Sequence, residues 1–195
     1  ADEVQTGIAR TGRLLATCGN CSCEKRDCSG TPDVKPDILI LGKAISGGAY
    51  PVSAVLANDP IMKVITPGSH GSTFGGNPIA AAVAMAALEV VVDEKLAENA
   101  YRLGIIFRAE LNKFIQTSTI CNEVRGKGLL NAILINDDEQ SDTAWNICMR
   151  LRDNGLLAKP THGNIIRFAP PLVMTQEQLH ECISIIITTL KEFEV

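Results

Sequence analysis

Short, unbroken apolar runs dominate the first half of the chain. The run Ile38–Leu41 and residues 52–57 predict two buried strands, because strands covered on both faces lack the alternation of half-exposed ones. Residues 79–92 are nearly all apolar or alanine and predict a buried helix, which Asn77 and Pro78 would start as N-cap and first helical residue. We therefore expect an α/β unit in this half.

Amphipathic repeats dominate the second half. Apolar positions recur with helical period over residues 95–115, after a predicted break near Asp93, and we place a domain border there, between residues 1–93 and 94–195. The further predicted elements are a strand at 124–135, a helix at 144–153, strands at 156–159 and 165–168, and a last helix opened by a capping box at Thr175 and Gln178. Helices packed on a small sheet indicate an α+β unit.

Composition and charge narrow the class of protein. The chain has 195 residues, 46% of them apolar, and a formal net charge of −4. It has no basic stripe and no apolar run of the ~18 residues that a bilayer span needs, so we expect neither nucleic acid nor membrane as a partner. Because it opens at Ala1 without an initiator methionine, we expect a fragment whose targeting region lies upstream, with apolar faces exposed at residues 38–57 and 79–92. Alone, such a fragment should aggregate and be inactive.

Cysteine is unusually frequent, with seven residues in the chain. Four of them fall close together, at Cys18, Cys21, Cys23 and Cys28. Their spacing, C-x2-C-x-C-x4-C, brings the third possible ligand closer than a standard zinc site does. A weak metal or redox site, a surface insertion over about residues 18–31 and a sequence artefact all stay open, and we favour the surface loop. Cys148 and Cys182 lie on apolar helical faces and are expected in the core.

Lys43 is the first candidate for chemistry, because it follows a predicted strand directly after Gly42, where ligands bind in open α/β sheets. Apolar neighbours would remove water from its amine and favour the neutral form, a nucleophile that forms a Schiff base with an aldehyde. Taken alone, Lys43 would more simply be a solvated residue at the end of a strand. The glycine-rich loop before Pro78 carries hydroxyls at Ser72 and Thr73, which suit a phosphate, although a flexible connection has the same composition.

Two further residues extend this pattern. Asp2 offers a carboxylate, and Arg167, between Ile166 and Phe168 in a predicted strand, offers a guanidinium fork for a substrate carboxylate. Pyridoxal phosphate needs a lysine, an acidic partner for its pyridine nitrogen and donors for its phosphate. Singly, Asp2 would be a turn residue and Arg167 a strand residue paired with a nearby carboxylate. Walker A, G-x-G-x-x-G, H-E-x-x-H and G-x-S-x-G motifs do not occur, which disfavours nucleotide, zinc-protease and serine-hydrolase chemistry.

Several stretches resemble the class III aminotransferases, which act on ornithine, acetylornithine or GABA. They are DEVQTG at residues 2–7, LGKA at 41–44, HGSTFGGNP at 70–78 and VRGKGLL at 124–130. Further stretches are similar to the ornithine-specific members: YPVSAVL at 50–56, GLLAKPTHG at 155–163 and IRFAPPL at 166–172. The resemblance covers almost the whole chain and departs from the family only at the cysteine segment.

The resemblance implies an α/β protein of fold type I, with the second part of a large, mostly parallel pyridoxal-phosphate domain and a small C-terminal domain. The implied reaction moves the δ-amine of L-ornithine to 2-oxoglutarate and gives glutamate 5-semialdehyde and glutamate. Arg167 would grip the α-carboxylate and present the δ-amine. An acetylornithine or GABA aminotransferase and a non-catalytic fragment are the alternatives. The resemblance also implies a homodimer or higher homo-oligomer and, by analogy, the mitochondrial matrix, with the cytoplasm as the alternative.

The same resemblance implies roles for five residues of the first half. Lys43 forms the Schiff base with the cofactor and then moves protons as general acid and base. Asp2 pairs with the protonated pyridine nitrogen, and Gln5 bonds the phenolic oxygen. Thr73, with Ser72 beside it, reaches the phosphate bound by the neighbouring subunit.

Overall fold

The computed structural model describes residues 1–18 and 35–194. The chain divides into two compact units, Ala1–Glu98 and Asn99–Val195. The border expected at residues 93 and 94 stays a prediction about the domains of the whole protein. The two units are described separately.

The first unit contains a two-stranded sheet and two helices. Its elements are β1 (Ile38–Leu41), β2 (Ala54–Ala57), α1 (Asp59–Met62) and α2 (Pro78–Asp93), with short 3-10 turns at Ala16–Cys18 and Lys43–Ser46. β1 and β2 pair antiparallel. α2 begins as predicted, because the Asn77 side chain accepts a hydrogen bond from the Ala80 N–H and Pro78 takes a position whose N–H has no partner in any helix.

The predicted burial of the apolar runs in this unit is wrong for the described chain. Ile40 is 38% exposed and Val55 57%, while Ile79 and Met85 on α2 are 63% and 61% exposed. Within the described ranges, β1 pairs only with β2 and, through one bridge, with Asp2. An apolar run signals that burial is needed, whereas the covering layer must come from other elements. The exposure agrees with the expectation for the isolated chain.

The second unit is a four-stranded antiparallel sheet with helices packed on it. Its elements are α3 (Leu96–Ile115, entering from the first unit), β3 (Cys121–Lys127), β4 (Leu130–Ile135), α4 (Thr143–Asp153), β5 (Lys159–Thr161), β6 (Ile165–Phe168) and α5 (Gln176–Lys191). The strand order is β3-β4-β6-β5, and every neighbouring pair is antiparallel. This architecture confirms the predicted α+β unit.

Two strand predictions in this unit need correction. The segment predicted as one strand over 124–135 is a hairpin, in which β3 and β4 meet at a tight turn. Gly128 adopts φ 56° there, a left-handed conformation that glycine adopts without a steric penalty. The strand predicted from Leu156 begins only at Lys159. The N–H of Leu156 instead donates to the Leu151 carbonyl at 2.8 Å and, with Gly155 at φ 91°, closes a Schellman motif at the end of α4.

The hydrophobic core of the second unit is closed. Every helix and two of the strands contribute side chains that are at most 1% exposed, among them Leu103, Ile133, Ile147, Ile166 and Ile186. Cys148 belongs to this core as predicted, whereas Cys182 is only half-buried. No helix within residues 1–18 and 35–194 is both long and apolar enough to cross a membrane.

Candidate active site

A short parallel pairing places Asp2 beside β1. The N–H of Ile40 donates to the Ala1 carbonyl, and the N–H of Glu3 donates to the Ile40 carbonyl, both at 2.9 Å. β1 ends one residue later, and Lys43 follows. Asp2 and Lys43 therefore lie near the carboxyl ends of two neighbouring parallel segments, the edge at which α/β sheets bind ligands.

Gln5 lies within reach of the lysine. The Nζ atom of Lys43 donates to Oε1 of Gln5 at 3.4 Å. Gly42 permits this approach, because a Cβ at that position would lie 3.0 Å from Cγ1 of Val4. The structure thus brings Asp2, Gln5 and Lys43 into one neighbourhood.

The backbone of Lys43 is itself unusual, with φ 45° in the left-handed region. A non-glycine residue in this region carries strain, and such strain is concentrated at functional sites. The turn Lys43–Ser46 packs against α2, where a Cβ at Gly47 would lie 3.2 Å from Cβ of Ala87. Packing on one side and the sheet on the other hold the lysine in this conformation.

The expected apolar surroundings of the Lys43 side chain are not found. Lys43 is exposed, and the turn that it opens buries only Ile45. Gly47 and Gly48 follow and add no side chain that could cover the amine. The predicted loss of hydration at Nζ therefore does not arise from the part of the chain that the structure describes.

Glu3 is a residue of this site that sequence reasoning missed. It is 1% exposed, and its carboxylate accepts hydrogen bonds from Oγ1 of Thr6 at 2.5 Å and from the N–H of Thr17 at 2.7 Å. Burial acts to raise the pKa of Glu3, but the hydrogen bonds from Thr6, Thr17 and Ala16 together outweigh burial and lower it. The sequence signal that could have identified Glu3 is its position directly after Asp2. In an extended segment, neighbouring side chains point to opposite faces, so Glu3 points away from the face of Asp2.

Ser72 and Thr73 lie in the loop that leads into α2, and both are exposed. Oγ of Ser72 accepts a hydrogen bond from the Gly75 N–H at 2.9 Å and so shapes the loop. The hydroxyl of Thr73 has no hydrogen-bond partner among the residues described. Both hydroxyls are therefore accessible to a ligand near the N-terminus of a 16-residue helix.

Arg167 belongs to the second unit, in β6, where it pairs in register with Ala132 of β4 and Lys159 of β5. It is half-buried. Its guanidinium makes no hydrogen bond or ion pair with any residue in 1–18 or 35–194, so the carboxylate partner of the simpler interpretation is not found there. A half-buried cation without a partner can bind an anion.

The cysteine segment falls mostly outside the described residues. Cys21, Cys23 and Cys28 all lie there, and Cys18 is half-buried with a free thiol. Among the residues that the structure describes, no three metal-binding side chains cluster. The metal or redox hypothesis for this segment stays a prediction.

Comparison with known proteins gives a consistent result. The aminotransferase class-III family pattern matches residues 1–190. The mitochondrial ornithine aminotransferase of Drosophila ananassae is 59% identical over 190 residues, which are 97% of this chain and 40% of that protein. The mitochondrial ornithine aminotransferase of Rattus norvegicus is 55% identical over 193 residues, 99% of this chain and 40% of that protein. The chain thus spans about 40% of the length of these curated relatives.

Solved structures agree in fold. An acetylornithine aminotransferase from Elizabethkingia anophelis is 65% identical, with a TM-score of 0.88, over 98% of this chain and 45% of that chain. An ornithine aminotransferase from Toxoplasma gondii, crystallised with oxidised glutathione, is 45% identical, with a TM-score of 0.87, over 98% of this chain and 42% of that chain. In that structure pyridoxal phosphate partly occupies the active site.

Proposed function

The chain belongs to the class III aminotransferases, and from this membership we propose that it takes part in ornithine δ-transamination. The proposed reaction transfers the δ-amine of L-ornithine to 2-oxoglutarate and yields glutamate 5-semialdehyde and glutamate, with pyridoxal 5′-phosphate as cofactor. The observation that carries the proposal is the neighbourhood of Lys43, Gln5 and Asp2 at the end of β1.

The residues of this neighbourhood fit pyridoxal phosphate. Because Nζ of Lys43 lies 3.4 Å from Oε1 of Gln5, a small ring attached at the amine also reaches the amide. When bound, the cofactor supplies an electron sink for the substrate carbon that carries the amine. Lys43 holds the cofactor and moves the proton at that carbon, Asp2 keeps the pyridine nitrogen protonated, and Gln5 bonds the phenolic oxygen.

The remaining predicted residues serve binding. Ser72 and Thr73 precede the N-terminus of α2, where backbone amides favour a phosphate, and we assign them to the cofactor phosphate of a second subunit in a homodimer. The guanidinium of Arg167, which has no partner among residues 1–18 and 35–194, binds the substrate carboxylate. The names of the fruit-fly and rat relatives support a mitochondrial location, which we assign to the matrix.

A second candidate substrate is N-acetylornithine. The Elizabethkingia anophelis structure bears that activity in its name and is 65% identical, above the 59% of the Drosophila ananassae relative. The two substrates differ at the α-amine, which is charged in ornithine and a neutral amide in N-acetylornithine. Turnover rates with the two substrates, measured on the same preparation, separate these functions.

Cofactor trapping tests the proposal. Purified full-length protein is incubated with pyridoxal phosphate, reduced with borohydride, digested, and mapped for the labelled peptide. We expect one stoichiometric label on Lys43, which is lost in Lys43→Ala. The control is Lys63→Ala, which removes an exposed lysine paired with Asp59 at 3.0 Å, and it should keep the label. Substoichiometric labelling scattered over several lysines would contradict the assignment of Lys43.

A further inference from the structure

Glu3 is the only carboxylate or cationic residue in the described ranges that is buried, at 1% exposure. Burying a charge costs free energy unless the charge is hydrogen-bonded, so the hydrogen bonds around Glu3 explain how a carboxylate can be buried there. Its two oxygens accept from different parts of the chain. Oε2 accepts from the Thr6 hydroxyl at 2.5 Å and Oε1 from the Thr17 N–H at 2.7 Å.

These two donors stand at the two ends of residues 6–17, so one carboxylate closes the whole loop. The loop is bonded internally as well. The Thr11 hydroxyl, on a residue that is 4% exposed, donates to the Thr6 carbonyl at 3.1 Å, and the Gly7 N–H donates to the Glu3 carbonyl at 3.0 Å. A Cβ at Gly7 would lie 2.8 Å from that carbonyl oxygen, so the loop has little room to rearrange.

The same residue controls the segment that carries the site. The backbone N–H of Glu3 donates to the Ile40 carbonyl and sets the bridge that places Asp2 beside β1. Gln5 lies between Glu3 and Thr6, two residues joined by their side chains. We propose that Glu3 is a positioning residue, which holds Asp2 and Gln5 against the end of β1 without touching substrate or cofactor. This inference rests on the proposed function for its catalytic meaning.

A carboxylate makes the strongest hydrogen bonds with the donors at this position. Both oxygens of Glu3 accept hydrogen bonds. In Glu3→Gln the amide oxygen keeps the Thr17 N–H and the amide N–H donates to the Thr6 hydroxyl, which can also accept, so both hydrogen bonds remain but lose the negative charge that strengthens them. The lowered pKa of Glu3, in which hydrogen bonds outweigh burial, agrees with an ionised acceptor at neutral pH. Glu3→Gln should therefore loosen the loop at both ends, whereas Thr6→Val should loosen it at Thr6 alone, since it removes one donor and leaves the charge and the Thr17 hydrogen bond.

Amide hydrogen exchange in the full-length protein without cofactor tests the geometry. In Glu3→Gln we expect the amides of Thr17 and Ile40 to exchange about tenfold faster, the factor that replacing a charged by a neutral hydrogen-bond acceptor corresponds to. Thr6→Val should show a smaller effect at Ile40 and leave Thr17 unchanged, and it carries the test if Glu3→Gln does not fold. Glu89→Gln, an exposed change on α2, should alter neither amide.

Binding of pyridoxal phosphate tests the positioning role. We expect the dissociation constant to rise about tenfold in Glu3→Gln, and the visible absorption of the bound cofactor to change its pH dependence, because Asp2 and Gln5 contact the ring. Glu89→Gln should match the wild type in both the dissociation constant and the absorption.

Unchanged exchange at Thr17 and Ile40 overturns the inference, whether or not the cofactor binds. Faster exchange with unchanged affinity and spectrum reduces Glu3 to a structural role and overturns it too. Failure of the wild type to bind the cofactor instead refutes the proposed function, and the exchange data still decide the geometry.

Discussion

Replacing Gly104 by alanine should strongly destabilise the second unit. Gly104 lies in the middle of α3, where the helix meets the turn between β3 and β4. A Cβ at this position would lie 2.0 Å from the carbonyl oxygen of Gly128 and 2.6 Å from its carbonyl carbon. Both of these clashes are between the new Cβ and backbone atoms, so the movement of a side chain cannot relieve them.

The magnitude follows from three effects. Gly→Ala in a helix interior normally stabilises by about 1 kcal/mol. Forcing packed backbones apart costs about 1–3 kcal/mol, and occasionally more. The displaced turn also carries hydrogen bonds from Nη1 of Arg108 to Oδ1 of Asn131 at 2.8 Å and to the Gly128 carbonyl at 3.3 Å. Because Arg108 is charged and Asn131 is buried, losing this contact costs about 1.5–3 kcal/mol. We expect a net loss of about 2–4 kcal/mol.

Urea and thermal unfolding of the purified protein measure this loss. At about 4–8 °C per kcal/mol for a unit of this size, Gly104→Ala should lower the Tm of the second unit by roughly 10 °C or more. Gly71→Ala is the matched control, because a Cβ there meets no atom within 4 Å and its φ is not in the left-handed region. A neutral or stabilised Gly104→Ala protein would refute the close approach of α3 to the turn, and an equal loss in Gly71→Ala would trace the effect to glycine replacement in general.

Three smaller predictions concern a cap, an acid and two thiols. Thr175→Ala removes the capping box of α5 and should lower the free energy of unfolding by about 1 kcal/mol, measured in urea. The pKa of Glu3 is lowered in the folded state from its ordinary 4.5, because its hydrogen bonds outweigh burial, so its stabilisation is present above about pH 4.5 and is lost as the pH falls through the folded value. The stability difference between wild type and Glu3→Gln should accordingly shrink in acid. Burial raises the pKa of Cys148 to about 11 and that of Cys121 to about 12, so mass spectrometry should find both thiols unmodified by iodoacetamide at neutral pH until the protein is unfolded.

Features with local causes could be predicted from the sequence. The start of α2 at Asn77, the capping box at Thr175 and the end of α4 at Gly155 each depend on hydrogen bonds within a few residues. The partners of such hydrogen bonds are close together in the sequence, so a short stretch of sequence contains the whole interaction. The strand before Lys43 could be predicted for the same reason, since a single apolar run forms it.

Features with distant causes could not be predicted. The buried carboxylate of Glu3 is stabilised by the amide of Thr17, fourteen residues away, and the sequence around either residue does not predict this contact. The hairpin of β3 and β4 looked like one strand because its turn contains Leu129 rather than only polar residues, and Leu129 is fully buried. The prediction that apolar residues surround the Lys43 amine is wrong for the described residues, because this environment depends on which elements cover the amine and not on the residues next to it in the sequence.

The two units show where a hydrophobic pattern is sufficient and where it is not. In the second unit, α3, α4 and α5 turn their apolar faces towards one antiparallel sheet, so the side chains that need burial supply one another's cover. In the first unit, β1 pairs with β2 and, through one bridge, with Asp2, and Val55, Ile79 and Met85 remain more than half exposed. Apolar residues of both units need burial, yet among the described residues only the second unit contains enough elements to provide it. Burial is therefore a property of the set of elements present, and the exposed residues of the first unit mark apolar surfaces that elements outside residues 1–18 and 35–98 would have to cover.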